Sequence, residues 1–432
     1  MNARRSATLI VTLALLIAAF VGSTGPAAAA SKGGTPAASF ARLDLGSGTY
    51  SGTAAGHAGL TLSGRLTSGT YTDIYAIGGA RDIAYHSGTW ISDPVITPFA
   101  FDELVASWNA ATPEGTWIKT ELQATGSGRT TKWYTLGIWA SGDGTIHRTS
   151  VPAQGDADGF VAIDTFIRSS KAAPLTSYQL RVSLYRADAA ASSPTPMVRF
   201  IGAMTSAASD FVIPSVPLLG VEQELAVPPL SQEVHRGEFS VYDGGGEAWC
   251  SPTSTAMVLD YWKIVAGYPN SGPTAAQLNA FPGPSYADGQ VDYAARYVYD
   301  YNYKGAGNWP DNAAYAASFA GMNGFVTRLR SLAEAERFIA AGIPLVASIN
   351  GKLPGFLFKK TSGHLLVIRG FTKAGDVITN DPAVLADTDG RVLYGRADFE
   401  NVWLGGSAGI VYVIYPDGVS LPPNVEGSDK NW

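Results

Sequence analysis

From about residue 40 to 205 the apolar positions recur at every second residue. Ile118, Thr120, Leu122 and Ala124 alternate with Lys119, Glu121 and Gln123, and Leu180, Val182 and Leu184 alternate with Gln179, Arg181 and Ser183. Val161, Ile163 and Phe166 mark a further strand region, and turns rich in Gly, Asp and Ser separate the runs. A period of two with short turns predicts antiparallel sheets with one buried face, and hence a β-sandwich. Residues 206–228 carry Pro214, Pro217 and Pro228 without helical spacing and read as a linker. From 229 to 418 the spacing lengthens. A helix is predicted from about Pro252, turning Met257, Val258, Tyr261 and Trp262 toward a core, with further helices at 274–279 and 332–341. Strands are predicted at 344–349, 364–371, 377–380 and 410–415. Helices followed by antiparallel strands give an α+β domain. The segment 419–432 is polar and Pro-rich, and is expected to be loosely attached.

The first residues change the picture from fold to compartment. Arg4 and Arg5 precede an apolar run, Leu9 to Val21, and Pro26 precedes Ala27–Ala30. This is the layout of a signal peptide cleaved near Ala30, with 31–39 as a flexible leader. The run is shorter than the roughly 20 apolar residues a membrane span needs, and no other stretch is long and apolar enough. A secreted, extracellular protein with no membrane span in the mature chain is expected. Removal of residues 1–30 takes away two arginines and no acid, which changes the formal charge from −6 to −8. An acidic chain with scattered bases argues against nucleic acid as a partner.

Export makes the cysteine content informative. Cys250 is the only cysteine in 432 residues, so no internal disulfide can form, although exported proteins usually pair their cysteines. A lone thiol is either a small buried apolar residue or a group kept for chemistry. Its setting, Glu247-Ala248-Trp249-Cys250-Ser251-Pro252-Thr253-Ser254, favours chemistry. With Ser251 as cap and Pro252 at the first helical position, Cys250 would stand at the positive end of a helix, where a thiolate is favoured. A base is needed next, and the C-terminal part offers only His235 and His364. His364 follows Gly363 at the start of a predicted strand, whereas His235 reads as a loop residue. Asn380 and Asp381 end the next predicted strand. The seventeen residues from His364 to Asp381 suffice for two neighbouring strands and a turn at 373–376. Either side chain could then orient the imidazole.

In these motifs residues 229–418 resemble the papain-like cysteine peptidases related to the bacteriocin-processing (double-glycine leader) family, in their stand-alone secreted form. The matching pieces are Ser231-Gln232, Trp249 to Ser254, Gly363-His364 and Asn380 to Ala383. The resemblance implies Cys250 as nucleophile, His364 as base and Asp381 as the orienting acid, with Asn380 as the alternative third member. It implies a peptide or protein substrate and no cofactor. The family also carries a glutamine a few residues before the cysteine, as an oxyanion donor. Here Gly244 stands six residues ahead, and the nearest upstream glutamine is Gln232. A loop insertion at 235–246 would leave Gln232 in place.

No metal-ligand set is apparent, since Asp156-Ala157-Asp158-Gly159 lacks the remaining ligands of a calcium loop. Trp90, Trp108, Trp117, Trp133, Tyr134 and Trp139 could form a core or contact glycans or cell wall. Trp139, beside Ser141-Gly142-Asp143-Gly144, is the best candidate for an exposed contact. Two rival functions follow from the same residues. One is acyl transfer of transglutaminase type. The other is a non-catalytic glycan- or wall-binding protein with a degenerate peptidase domain.

Overall fold

A computed structural model describes residues 37–188, 195–207, 209, 212, 214–281, 286–358 and 360–432. The expected signal segment 1–30 and most of the 31–39 leader lie outside the described residues. The N-terminal part is rich in β-strands, which form two antiparallel sheets. In one, strand Leu175–Ala187 lies between Thr116–Gly126 and Arg81–Ile91, with Leu180 opposite Leu122 and Leu184 opposite Ile118. In the other, Met197–Ala207 pairs with Glu103–Ala111 and with Ala37–Arg42. Leu104, Ala106 and Trp108 of the second sheet share a core with Leu122, Leu180 and Val182 of the first. The alternation thus reports the inward face, as an antiparallel sheet with one covered side requires. Glu121 is buried as well, because Arg181 holds it with two bonds of 2.7 Å.

The region read as one strand at Val161–Phe166 is a hairpin of Gly159–Ala162 and Thr165–Arg168. Ile163 turns the chain at φ +60°, a conformation costly for a β-branched residue and invisible to a pattern count. The aromatics are mostly core: Trp90, Trp108, Trp117, Tyr134 and Trp139 are buried. The expectation of an exposed Trp139 is therefore corrected. A bulge between Thr135 and Gly137 shifts the alternation of its strand, so that Trp139 joins Tyr134 and Leu136 in the core shared by the two sheets. Trp133 is half-buried under the Arg181 guanidinium.

The C-terminal part combines six helices, among the described residues, with a seven-stranded antiparallel sheet. The helices are α1 (Cys250–Asp260), α2 (Ala275–Ala280), α3 (Gly289–Val298), α4 (Trp309–Ala317), α5 (Leu332–Ala340) and α6 (Arg396–Ser407). The main strand order is Met322–Arg328, Ile410–Pro416, Leu345–Lys352, Lys360–Phe371, Val377–Asn380, Arg391–Tyr394. Gln223–Glu224, in the segment read as linker, adds to strand Lys360–Phe371. Helix α1 lies on the strands Leu345–Lys352 and Lys360–Phe371 and against α3. Met257, Val258, Tyr261 and Trp262 are all buried there.

Helix α4 has a start signal, Asn308 with Pro310 in the first turn, but lacks a polar face in the sequence for a physical reason. Eight of its nine residues are buried, because it is wedged between Met322–Arg328 and Glu103–Ala111 of the other half. A helix covered on every side shows no amphipathic stripe. The two halves are also joined by polar contacts. Arg296 binds Asp143 with bonds of 2.7 and 3.0 Å, and buried Arg328 donates to Glu103 at 2.6 Å. The segment 419–432 corrects a second expectation. Asn431 is fully buried and donates to the Arg328 carbonyl and to Glu334, and the Trp432 ring packs 5.0 Å from Phe338.

Candidate active site

Helix α1 begins at Cys250 itself, with Trp249 in the cap position. The expected cap, Ser251, is instead the second helical residue, and its hydroxyl shares a 2.9 Å bond with the Tyr412 hydroxyl. Pro252 falls third. It is tolerated there because the first four N–H groups of a helix have no intrahelical acceptor. Trp249 is fully buried and donates its indole N–H to the Tyr242 carbonyl at 2.7 Å, which pins the helix start. Cys250 is only half-buried.

Strand Lys360–Phe371 is exposed or half-exposed up to Gly363 and buried from His364 onward for five residues. His364 therefore stands where the strand enters the core. Val367 pairs with Asn380 across the ladder, so the residue after Asn380 comes level with the start of the buried run. The result is a 2.8 Å bond between His364 Nε2 and Asp381 Oδ1. Cys250 lies close enough to the imidazole to favour its charged form. Phe356 packs against the ring at 5.1 Å between centroids. Asp381 accepts further bonds from the Ala383 N–H at 2.9 Å and the Tyr394 hydroxyl at 2.6 Å. Asn380 points elsewhere: it accepts from Arg369 at 2.8 Å and donates to the Val227 carbonyl at 2.9 Å. Tyr394 and Phe356 were missed, since a lone aromatic in a short strand or loop carries no local signal.

The electrostatics follow from this arrangement. Burial opposes a charge on His364, but Asp381 and then Cys250 outweigh it and raise the imidazole to about 10. Burial likewise pushes Asp381 up, while His364 and the Tyr394 and Ala383 donors outweigh it and hold the carboxyl below its ordinary value. Burial and the neighbouring carboxylate raise the Tyr394 hydroxyl, which stays a neutral donor.

Gln232 is brought back beside the helix start although it lies eighteen residues before Cys250 in the chain. Its N–H bonds the Pro382 carbonyl at 2.8 Å, and its side-chain amide donates to the Glu247 carbonyl at 2.8 Å. The other amide hydrogen has only a 3.4 Å contact to Glu233. The intervening chain folds out and returns at Gly246. A Cβ there would collide with the backbone of Gln232 and His235, so this close approach requires glycine. His235, read as a loop residue, is buried with its ring 6.2 Å from that of Trp249. Asp156 and Asp158 form a polar turn closed by Tyr134, Lys132 and Arg129.

Comparison with known proteins places both halves in domain families. Residues 224–408 match the model of the Peptidase_C39 like family, and residues 37–206 match the model described as Peptidase C39 N-terminal domain. Residues 224–408 are thus a C39-like domain, joined to an N-terminal domain of strands that matches the Peptidase C39 N-terminal model. Comparison with curated proteins finds no match. Among solved structures, a protein described as a C39-like peptidase from Bacillus anthracis is 18% identical, with a TM-score of 0.27 over 44% of this chain and 96% of that one. A protein from Parabacteroides distasonis described as secreted is 7% identical, with a TM-score of 0.16 over 89% of this chain and 95% of that one. Among the described residues no helix is long and apolar enough to cross a membrane.

Proposed function

We propose that this protein is an exported cysteine peptidase of papain-like design that hydrolyses peptide or amide bonds through Cys250, His364 and Asp381. The observation that carries the reading is the His364–Asp381 bond of 2.8 Å beside the helix start that bears the chain's only thiol. In this mechanism His364 takes the thiol proton and the sulfur attacks the carbonyl carbon. A C–S bond forms, and the oxyanion is held by the Cys250 N–H and the weakly engaged amide hydrogen of Gln232. As the C–N bond breaks, the His364 imidazolium gives its proton to the leaving amine. Water, deprotonated by His364, then cleaves the thioester and releases the acid. Asp381 fixes the ring through Nε2, which leaves Nδ1 for the sulfur. No step needs a cofactor.

Alkylation of Cys250 by iodoacetamide as a function of pH tests this reading. Rapid labelling well below pH ~8.5, the value of an ordinary thiol, that disappears in His364→Ala is expected. Labelling with the pH profile of an ordinary thiol in both proteins would sink it. Product analysis separates hydrolysis, which yields a free acid, from acyl transfer, which yields a new amide.

A further inference from the structure

The insertion ahead of α1 carries a second cluster of ligating groups. His235 and Glu238 stand at its beginning, and Asp292 projects from the first turn of α3. His235 Nδ1 lies 2.9 Å from Glu238 Oε2 and 3.5 Å from Asp292 Oδ1. Ligand atoms of the three residues all fall within 4.8 Å of one another. His235 and Asp292 are each 1% exposed. Asp292 Oδ1 has no hydrogen-bond donor, although it faces the imidazole nitrogen. A single Nδ1–H can serve only one of the two carboxylates, and Glu238 has the closer approach.

Charge counting sharpens the point. Two carboxylates beside a protonated imidazole leave a net −1 in a buried place. Two carboxylates and a neutral imidazole around a divalent cation sum to zero. The two spacings from His235 Nδ1 also fit, because donors about 2.0–2.2 Å from a zinc-sized ion lie roughly 2.9–3.6 Å from one another in tetrahedral or octahedral arrangement.

We propose that His235 Nδ1, Glu238 and Asp292 bind a divalent first-row transition cation, with zinc the best match. One imidazole nitrogen with two carboxylates suits such ions, whereas calcium and magnesium prefer oxygen alone. The ion ties the insertion 235–246 to α3, behind Gln232 and Trp249. Its role is to hold these residues in place, and binding does not depend on the hydrolytic reading.

The test uses tag-free Cys250→Ala protein, which has no thiol to capture metal. It is stripped with a chelator, dialysed against Zn²⁺ or Co²⁺, and analysed for bound metal and Tm. About one equivalent per chain is expected, with a rise in Tm on adding Zn²⁺. In the same background Asp292→Asn and His235→Gln should each weaken binding at least tenfold. If those variants do not fold, X-ray absorption of the zinc-loaded Cys250→Ala protein decides, with one imidazole nitrogen and otherwise oxygen expected in the first shell. Failure to retain metal, retention undiminished in both folded variants, or a first shell without imidazole overturns the proposal.

Discussion

Each half of the molecule buries a histidine against an aspartate at the same 2.8 Å. In the N-terminal half His147 Nδ1 meets Asp73 Oδ2; in the C-terminal half His364 Nε2 meets Asp381 Oδ1. Both histidines are largely covered, and both carboxylates take additional backbone N–H donors. The difference lies on the far side of the ring. His147 packs edge-on against Tyr301 with ring centroids 4.3 Å apart, and so helps to seat one half on the other. His364 lies near the only thiol in the chain, which favours its charged form and stands at the first residue of a helix. A His–Asp pair is therefore no site by itself. What the second nitrogen faces separates a structural pair from one poised for proton transfer.

The largest test of this contrast is paired substitution. Asp381→Asn should lower kcat on a cleaved peptide by about 10⁴, the order seen when the orienting acid of a triad is neutralised. Asp73→Asn should leave kcat within about twofold and instead lower Tm, since it weakens a buried bond. Equal losses of turnover would erase the distinction. Next in size is Gln232→Ala. Removal of one oxyanion donor costs about 10²–10³ in kcat, with little change in the rate at which Cys250 is alkylated. A parallel fall in alkylation would move Gln232 from transition-state binding to support of the helix start.

The smallest effect is on stability. His364 is raised in the folded state, so its contribution is complete below the ordinary value of 6.5 and is lost as pH rises toward about 10. Asp381 is held down, so its contribution is present above the ordinary carboxyl range and fades as pH falls through it. Denaturant unfolding between pH ~6.5 and ~10 should show stability declining in the parent protein and a flatter profile in His364→Gln. Identical profiles would mean that the pair does not carry this charge.

Legibility in the sequence varied with how each element is covered. Helix 332–341 was readable because it has one covered face, and strand 377–380, buried at all four positions, because a turn at 373–376 and Pro382 bound a short β-branched run; their observed bounds are Leu332–Ala340 and Val377–Asn380. Helix α4 and strand Met322–Arg328 were not, because contact with both halves removes the polar face that makes a period visible. The start of α1 was misplaced by two residues because Ser251 and Pro252 make a good local cap signal. Anchoring of Trp249 by the Tyr242 carbonyl and of Ser251 by Tyr412 overrides it.

The sequence by itself determined the strand-rich half, a second half that mixes helices with strands, and the order of a lone cysteine, a histidine at a strand start and an acid at the next strand end. These are properties of spacing along one chain, and spacing survives in a string of letters. Tertiary structure alone decided that Asp381 rather than Asn380 meets His364. It also decided that Tyr394 closes on Asp381, that Gln232 returns to the helix start past an insertion, and that Asp292 comes level with His235 and Glu238. Those contacts join residues 13 to more than 50 positions apart. They depend on where ladders and loops bring side chains in three dimensions, which no local period encodes.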